Sequence, residues 1–288
     1  MKVPSNKLGD IRNYYRRLLA TKFSERTADT MVYEVLSVLT GRTRAQVLGY
    51  AEERVSESEM LRIHFAFKDL MKDKPLQYVL GYTEFFGYRF QVSPKVLIPR
   101  PETEELVEKA LELIPEKSSW RILDAGTGSG CIAVTLALKR PDIEVVAIDK
   151  SEFALEVATE NAHLNHADVR FLKLDMLDKK ALKSLGPFNM IISNPPYVRE
   201  SEKKNMAPHV VEWEPPQALF VPDNDPLLFY KALAWAGKNI LAPDGYLLCE
   251  INQYLADETL ELFRISGYSS PELLIDLNKN PRMIIAEL

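Results

Sequence analysis

Residues 194 to 197 read Asn-Pro-Pro-Tyr, at the close of the apolar run in "FNMIISNPPYVRE". Proline has no backbone N–H and fixes φ, so Pro195 and Pro196 end a sheet strand and leave a stiff turn whose carbonyls are not matched by donors. The side-chain oxygen of Asn194 and the carbonyl of Pro195 are then two acceptors in one rigid corner, with Tyr197 as an aromatic face beside them. Such a corner suits a flat NH2 group, whose two N–H bonds it can take from two directions. Asn194, Pro195, Pro196 and Tyr197 are the candidate catalytic and substrate-binding residues.

A second cluster lies upstream, where "RILDAGTGSGCIAV" reads as a buried strand, a loop of Gly126, Thr127, Gly128, Ser129 and Gly130, and a helix. Glycines let the backbone pass close to a ligand, and the helix N-terminus offers unpaired N–H groups. A nicotinamide site would place its third glycine at 131, which is Cys131. The spacing is instead GxGxG behind an acid, Asp124, and resembles the first motif of the Rossmann-like S-adenosylmethionine-dependent methyltransferases. S-adenosylmethionine has no pyrophosphate, so the loop need only let the backbone approach, while Asp124 helps orient the cationic end. Asp149 closes the strand "IEVVAID", where its carboxylate can accept both ribose hydroxyls. After "RFLKLDML", Asp175 can accept from the adenine amino group and Met176 can lie against the ring. Acids at strand ends also cap helices, but three in register behind a glycine loop carry more weight.

Together these clusters describe methyl transfer to nitrogen. An amide or exocyclic amine nitrogen is a poor nucleophile because its lone pair is delocalised. Accepting both of its N–H bonds fixes the plane and aims the lone pair at the methyl group, beside which Asn194 would stand. No carboxylate is placed here as a base, so the proton leaves after transfer. Rate then comes from alignment and electrostatics.

The elements that must position these residues follow from periodicity. Up to about residue 73 apolar residues recur at helical spacing, in the stripes Ile11, Tyr14, Tyr15, Leu18, Leu19 and Ala28, Met31, Val32, Val35, Leu36, Leu39. "SESE" at 56 to 59 is a capping box before Met60, Ile63, Phe67 and Leu70. Residues 1–74 are therefore expected to form a helical bundle that recognises substrate. Residues 75–98 are expected to form a joining β-hairpin with Gly87 at its turn, and 99–288 the catalytic domain. Pro101 opens a helix whose first-turn acids, at 102, 104 and 105, favour its positive end. Beyond it strands near 121–125, 144–149, 169–174, 188–193 and 244–250 alternate with helices at about 130–140, 151–165, 227–241 and 253–266, and two last strands flank "NKNP". This is an α/β pattern: a mainly parallel sheet with helices on both faces.

Composition narrows the function classes. A formal net charge of -5 gives no bulk attraction for polyanions, so stable nucleic-acid binding is not expected. Cys131 and Cys249 are far apart in apolar runs, which excludes a disulfide framework or a zinc spacing, and the four histidines show no ligand pattern, so no metal is expected. The first residues lack the apolar core of a signal peptide and no stretch is long enough to span a bilayer, which points to the cytoplasm and to no membrane partner. The basic start, Lys2, Lys7, Arg12, Arg16, Arg17, Lys22 and Arg26, reads as a solvated helix face or as a surface for an acidic partner. The charged segment from Arg199 to Pro216 reads either as a solvated connection or as a lid over substrate.

Asn-Pro-Pro-Tyr behind such a fold resembles amino-methyltransferases in general, those acting on adenine-N6 of DNA or RNA and those acting on glutamine-N5 of protein. "LIPRPETEELVE", "QYVLGYTEFFGYRFQV", "WEPPQAL" and "CEINQ" together resemble the glutamine-N5 methyltransferases of peptide chain release factors, the HemK or PrmC family, over nearly the whole chain. The resemblance implies methyl transfer from S-adenosylmethionine, leaving S-adenosylhomocysteine, to the glutamine of the Gly-Gly-Gln loop of class 1 release factors, by an enzyme expected to be monomeric. It places cofactor contacts on Gly126 to Gly130, Asp149, Asp175, Met176 and Asn194, the amide cradle on Asn194 to Tyr197, and a substrate-side wall on Phe85 and Phe86. The chain departs from the pattern at Met176, where many relatives carry an aromatic, at Asn252, where many carry glycine, and in "VPDNDPLL", where a stretch with glycine is common. An adenine-N6 enzyme is the alternative reading.

Overall fold

The computed structural model describes residues 3 and 5–288; Lys2 of the basic row lies outside them. Its contacts divide it into two compact units, Met1–Gly81 with Pro208–Trp213, and Tyr82–Ala207 with Glu214–Leu288. The first is all helical: α1 (Leu8–Leu19), α2 (Glu25–Thr40), α3 (Arg44–Gly49), α4 (Glu57–Leu70) and α5 (Leu76–Leu80). The expected stripes meet inside it. Ile11, Tyr15 and Leu19 face Val32, Val35 and Leu36 across a core that also takes Ile63 and Phe67, with the Tyr15 and Phe67 rings stacked at 3.9 Å. Ser56 and Glu59 form the capping box that starts α4. Helix α5 occupies the start of the segment expected as hairpin, because Pro75 sets a helical first turn and Gly81 closes it in the left-handed region.

In the second unit, β1 (Tyr82–Phe85) and β2 (Tyr88–Gln91) form the hairpin. Its turn is Phe86-Gly87, both at positive φ, the two-residue connection whose twist matches the strands. There follow α6 (Pro101–Leu113), β3 (Arg121–Ala125), α7 (Cys131–Lys139), β4 (Glu144–Asp149), α8 (Glu152–Asn165), β5 (Arg170–Lys173), α9 (Lys179–Lys183) and β6 (Phe188–Ser193). Then come β7 (Val198–Arg199), α10 (Pro208–Trp213, which belongs to the first unit), β8 (Phe220–Val221), α11 (Leu228–Ile240), β9 (Leu241–Glu250), α12 (Ala256–Ile265), β10 (Ser269–Ile275) and β11 (Pro281–Glu287). The segment expected as a connection or lid contains a 3-10 turn at Glu200–Asn205 and α10. Strand β9 starts earlier than expected and passes an irregularity in its pairing with β6, where Asp244 takes a positive φ next to Gly245.

The main sheet has seven strands in the order β10-β11-β9-β6-β3-β4-β5. All neighbours are parallel except β11, which runs antiparallel to both β9 and β10. Successive residues alternate between two cores. Leu123, Val146, Ile191 and Leu247 pack under α11 and α12, while Ile122, Val145, Met190 and Leu248 pack under α6 and α7. Such buried strands read as continuous apolar runs, the signature of a parallel sheet covered on both faces. The chain runs β3, β4, β5 outward in one direction and returns to β6 on the other side of β3. The carboxyl ends of β3 and β6 therefore flank the crevice where ligands bind in such sheets. Among the described residues no helix is long and apolar enough to cross a membrane.

Gly130, at φ 82°, is where the loop after β3 enters α7, and a Cβ there would stand 3.0 Å from Cβ of Ala158 on α8. Gly130→Ala should therefore cost about 1–3 kcal/mol from the backbone alone, read as a lower chemical-denaturation midpoint with an unchanged slope.

Candidate active site

The loop after β3 is shaped by its own hydrogen bonds. The N–H groups of Gly126 and Thr127 both donate to Ile148 O at 2.9 Å, and Gly130 N donates to Thr127 O. Gly126 and Gly128 have positive φ and open space where a Cβ would be, and both line a cleft of about 950 Å³, open solvent at its mouth included. Thr127 Oγ1 donates to Asp124 Oδ2 at 2.6 Å. Asp124 is fully buried beneath the loop and does not line the cleft. Burial pushes its carboxyl up to about 7, against the pull of the Thr127 hydrogen bond. The expectation set Asp124 at a cofactor's cationic end; the structure places it beneath the loop, off the cleft wall, where it holds Thr127.

Asp149, at the end of β4, does face the cleft. Gly128 N donates to its Oδ2 at 3.0 Å and Ser151 N to its Oδ1 at 2.8 Å. Each carboxylate oxygen keeps lone-pair capacity for one more donor. Burial raises its carboxyl above the usual range, with these two backbone donors opposing. Asp175 and Met176 line the same cleft; Asp175 Oδ1 accepts from Leu177 N at 2.9 Å, and Met176 is buried against the core. Cys131 also borders it, but burial lifts its thiol to about 12, which leaves it unreactive.

The register of β3 on β6 brings the second cluster alongside. Asp124 pairs with Ile192, and Ser193 Oγ donates to Ala125 O at 2.6 Å, locking the two strand exits together. Asn194 and Pro196 line the cleft, and Pro195 between them is buried. Asn194 Nδ2 donates to Thr103 Oγ1 at 3.0 Å, and its Oδ1 has no donor among the described residues. Tyr197 is not on the cleft wall. Its ring packs on the core and its hydroxyl donates to Glu250 Oε1 at 3.4 Å, because a phenol leaving water needs a partner. The two hairpin aromatics are likewise elsewhere. Phe85 is buried edge-on to Phe90 in the core under α6, and Phe86 lies under Lys139 with its N–H on Glu104. An apolar ring leaves water by whichever surface is at hand, and for both it is the sheet rather than the cleft.

Sequence reasoning missed the cleft's other wall. Lys95, Val96, Leu97, Pro99, Arg100 and Thr103 border it, as do Pro215, Gln217 and Ala218. That wall is held by Glu214, whose side chain is 1% exposed: Oε1 pairs with Arg100 at 2.5 Å and Oε2 accepts from Ile98 N at 3.2 Å. Asn252 Nδ2 reaches Tyr197 O and Glu202 at 3.0 and 2.9 Å, bracing the backbone that leaves the corner. The stretches "LIPRPETEELVE" and "WEPPQAL" carry this wall and the family resemblance, but no residue in them was given a role in the site; acids interrupting apolar or proline-rich runs, at Glu214 in "WEPPQAL" and Glu250 in "LLCEIN", were further signals.

The model of the Methyltransferase small domain family matches residues 106–215, the stretch that holds both clusters. A release factor glutamine methyltransferase of Flavobacterium psychrophilum is 40% identical over 95% of this chain and 98% of its own. The chain belongs to the release factor glutamine methyltransferase family. The Escherichia coli member is 32% identical over 96% of each chain. Among solved structures, the T. thermophilus 16S rRNA methyltransferase RsmC, titled as a complex with AdoMet and guanosine, aligns with TM-score 0.52 at 19% identity. It covers 72% of this chain and 49% of its own, a likeness of fold. The sheet and its covering helices are those of a class I methyltransferase, and the protein is a methyltransferase enzyme.

Asp124 gives a pH test of how the loop is built. Folding raises its carboxyl from the ordinary range to about 7, so the stability of the protonated form is complete below that range and is lost as pH rises through 7. Asp124→Asn does not titrate. The melting temperature of wild type relative to this variant should fall between about pH 4 and pH 7 and level off above, and a pH-independent difference in calorimetry would refute the shift.

Proposed function

We propose that this methyltransferase transfers the methyl group of S-adenosylmethionine to the side-chain amide nitrogen, N5, of the glutamine in the Gly-Gly-Gln loop of class 1 release factors. One observation carries the reading: an Asn194 side-chain oxygen that takes no donor from the described residues, on a cleft that also holds the glycine loop. The family's named activity supports it, since relatives matching nearly the whole chain are named for release factor glutamine methylation.

The cleft residues fit the proposed cofactor. The open Cβ positions of Gly126 and Gly128 leave room for a close backbone approach. Asp149 has one spare acceptor position on each oxygen, matching a pair of ribose hydroxyls, and Asp175 with Met176 offers an acceptor and an apolar face for adenine. When bound, S-adenosylmethionine supplies a methyl carbon activated by its sulfonium. Asn194 Oδ1 then accepts one amide N–H of the glutamine, and the carbonyl of Pro195 is proposed for the other. That pairing fixes the amide plane; no residue is assigned as a base, and the proton is proposed to leave to water after transfer. The helical unit is proposed to recognise the release factor, and the enzyme to act as a monomer in the cytoplasm.

Mass spectrometry of a release factor before and after incubation with enzyme and cofactor should show one added methyl on the Gly-Gly-Gln side chain. Nucleic acid offered with labelled cofactor should take up none; label there and not on the protein would overturn the proposal. Asn194→Ala should lower transfer about a hundredfold or more, while calorimetry still detects cofactor binding, as expected when the loss falls mainly on orientation of the substrate amide.

A further inference from the structure

Behind Asn194 runs a polar chain that the transfer reaction does not itself use. Asn194 Nδ2 donates to Thr103 Oγ1 at 3.0 Å, Thr103 Oγ1 donates to Glu250 Oε2, and the Tyr197 hydroxyl donates to Glu250 Oε1 at 3.4 Å. Thr103 and Glu250 are 2% and 1% exposed, so protein partners must satisfy them. Three separate elements supply the chain: the first turn of α6, the end of β9, and the turn after β6.

The direction of this chain follows from chemistry. A carboxylate can only accept, and a hydroxyl has one proton. With the Thr103 proton committed to Glu250, Oγ1 offers Asn194 only a lone pair, so the group facing Thr103 must be the NH2 end of the Asn194 amide. Its oxygen is then turned the other way. We propose that Thr103 and Glu250 are positioning residues that fix which end of the Asn194 amide faces the cleft. This rests on the reading of Asn194 as the acceptor for the substrate amide. The opposite orientation would set an NH2 against the glutamine's own NH2, donor against donor.

The charge on Glu250 controls the direction. Around it stand Arg282 from β11, which favours the carboxylate, and Glu102 from α6, which opposes it, together with Tyr197, Cys249 of its own strand, Cys131 from α7 and Tyr230 from α11. Burial outweighs the rest and lifts its carboxyl to about 7. A protonated Glu250 can donate to Thr103, which frees the Thr103 proton to turn toward Asn194 and lets the amide reverse.

The test compares Thr103→Val, which keeps shape and loses the hydroxyl, with Thr103→Ser, which keeps the hydroxyl, and with Glu250→Gln. Thr103→Val should lower kcat for release factor methylation about tenfold to a hundredfold, with cofactor affinity by calorimetry within about twofold of wild type. Thr103→Ser should recover kcat to within about threefold of wild type. Wild-type kcat should fall as pH drops through about 7, and Glu250→Gln should lack that limb. Thr103→Ala replaces the valine variant if melting shows that valine prevents folding. Unchanged kcat in the hydroxyl-free variants, no recovery in Thr103→Ser, or the same acid limb in Glu250→Gln would each overturn the proposal. Asn194→Ala separates the two readings: if it is fully active the acceptor assignment itself fails, whereas an inactive Asn194→Ala beside an active Thr103→Val removes only the positioning role.

Discussion

The parallel pairing of β3 on β6 is the constraint from which the site follows. It sets Asp124 opposite Ile192, so the glycine loop and the Asn-Pro-Pro-Tyr turn leave the sheet at the same level, and Ser193 Oγ ties the two exits at Ala125 O. In a sheet with apolar cores on both faces, a slip of one residue would exchange Ile122 and Ile192 with Leu123 and Ile191 between those cores. The packing that holds the fold therefore also holds the site. Little local energy is needed to keep Asn194 beside the loop, because the whole sheet resists its displacement.

Around that frame the chain buries acids, an expensive choice that it offsets with near donors. Asp124 takes the Thr127 hydroxyl, Glu214 takes Arg100 and the Ile98 N–H, and Glu250 takes Thr103 and Tyr197. Removing one partner of such a group leaves an unsatisfied charge and costs more than the contact itself contributes. Each acid secures a different part of the cleft: the loop, the wall from Ile98 to Arg100, and the corner after β6. Rigidity at the corner is what a site needs when its rate comes from alignment rather than from a base.

Much of this architecture was legible in the chain. Short apolar runs, Ile122-Leu123, Val145 to Ile148 and Met190 to Ile192, gave β3, β4 and β6 with their bounds, since strands buried on both faces are apolar on successive residues. The glycine loop, Asp149 and Asn194 were found because each combines a residue type with a strand end. The misplacements have one cause. Phe85, Phe86 and Tyr197 were expected to wall a substrate, yet an aromatic beside a turn reads the same whether it faces a cleft or a core, and only the packing of α6, α7 and the sheet decides. Thr103 looked like an ordinary residue in a helix's first turn, and its partner lies 147 positions away, a separation no local pattern reports.

The division of the chain also bears on how it can be dissected. The backbone passes from one unit to the other three times, after Gly81, after Ala207 and after Trp213. Helix α10 is thus a guest of the helical unit, where Trp213 Nε1 donates to Lys72 O at 3.3 Å and Lys74 lies over its ring. A cut at residue 81 would not yield two independent pieces: the amino-terminal fragment would lack one of its helices, and the remainder would carry an orphaned tryptophan turn next to the Glu214 anchor. A division that keeps each unit whole has to excise 208–213 from the segment around it as well as cut after Gly81.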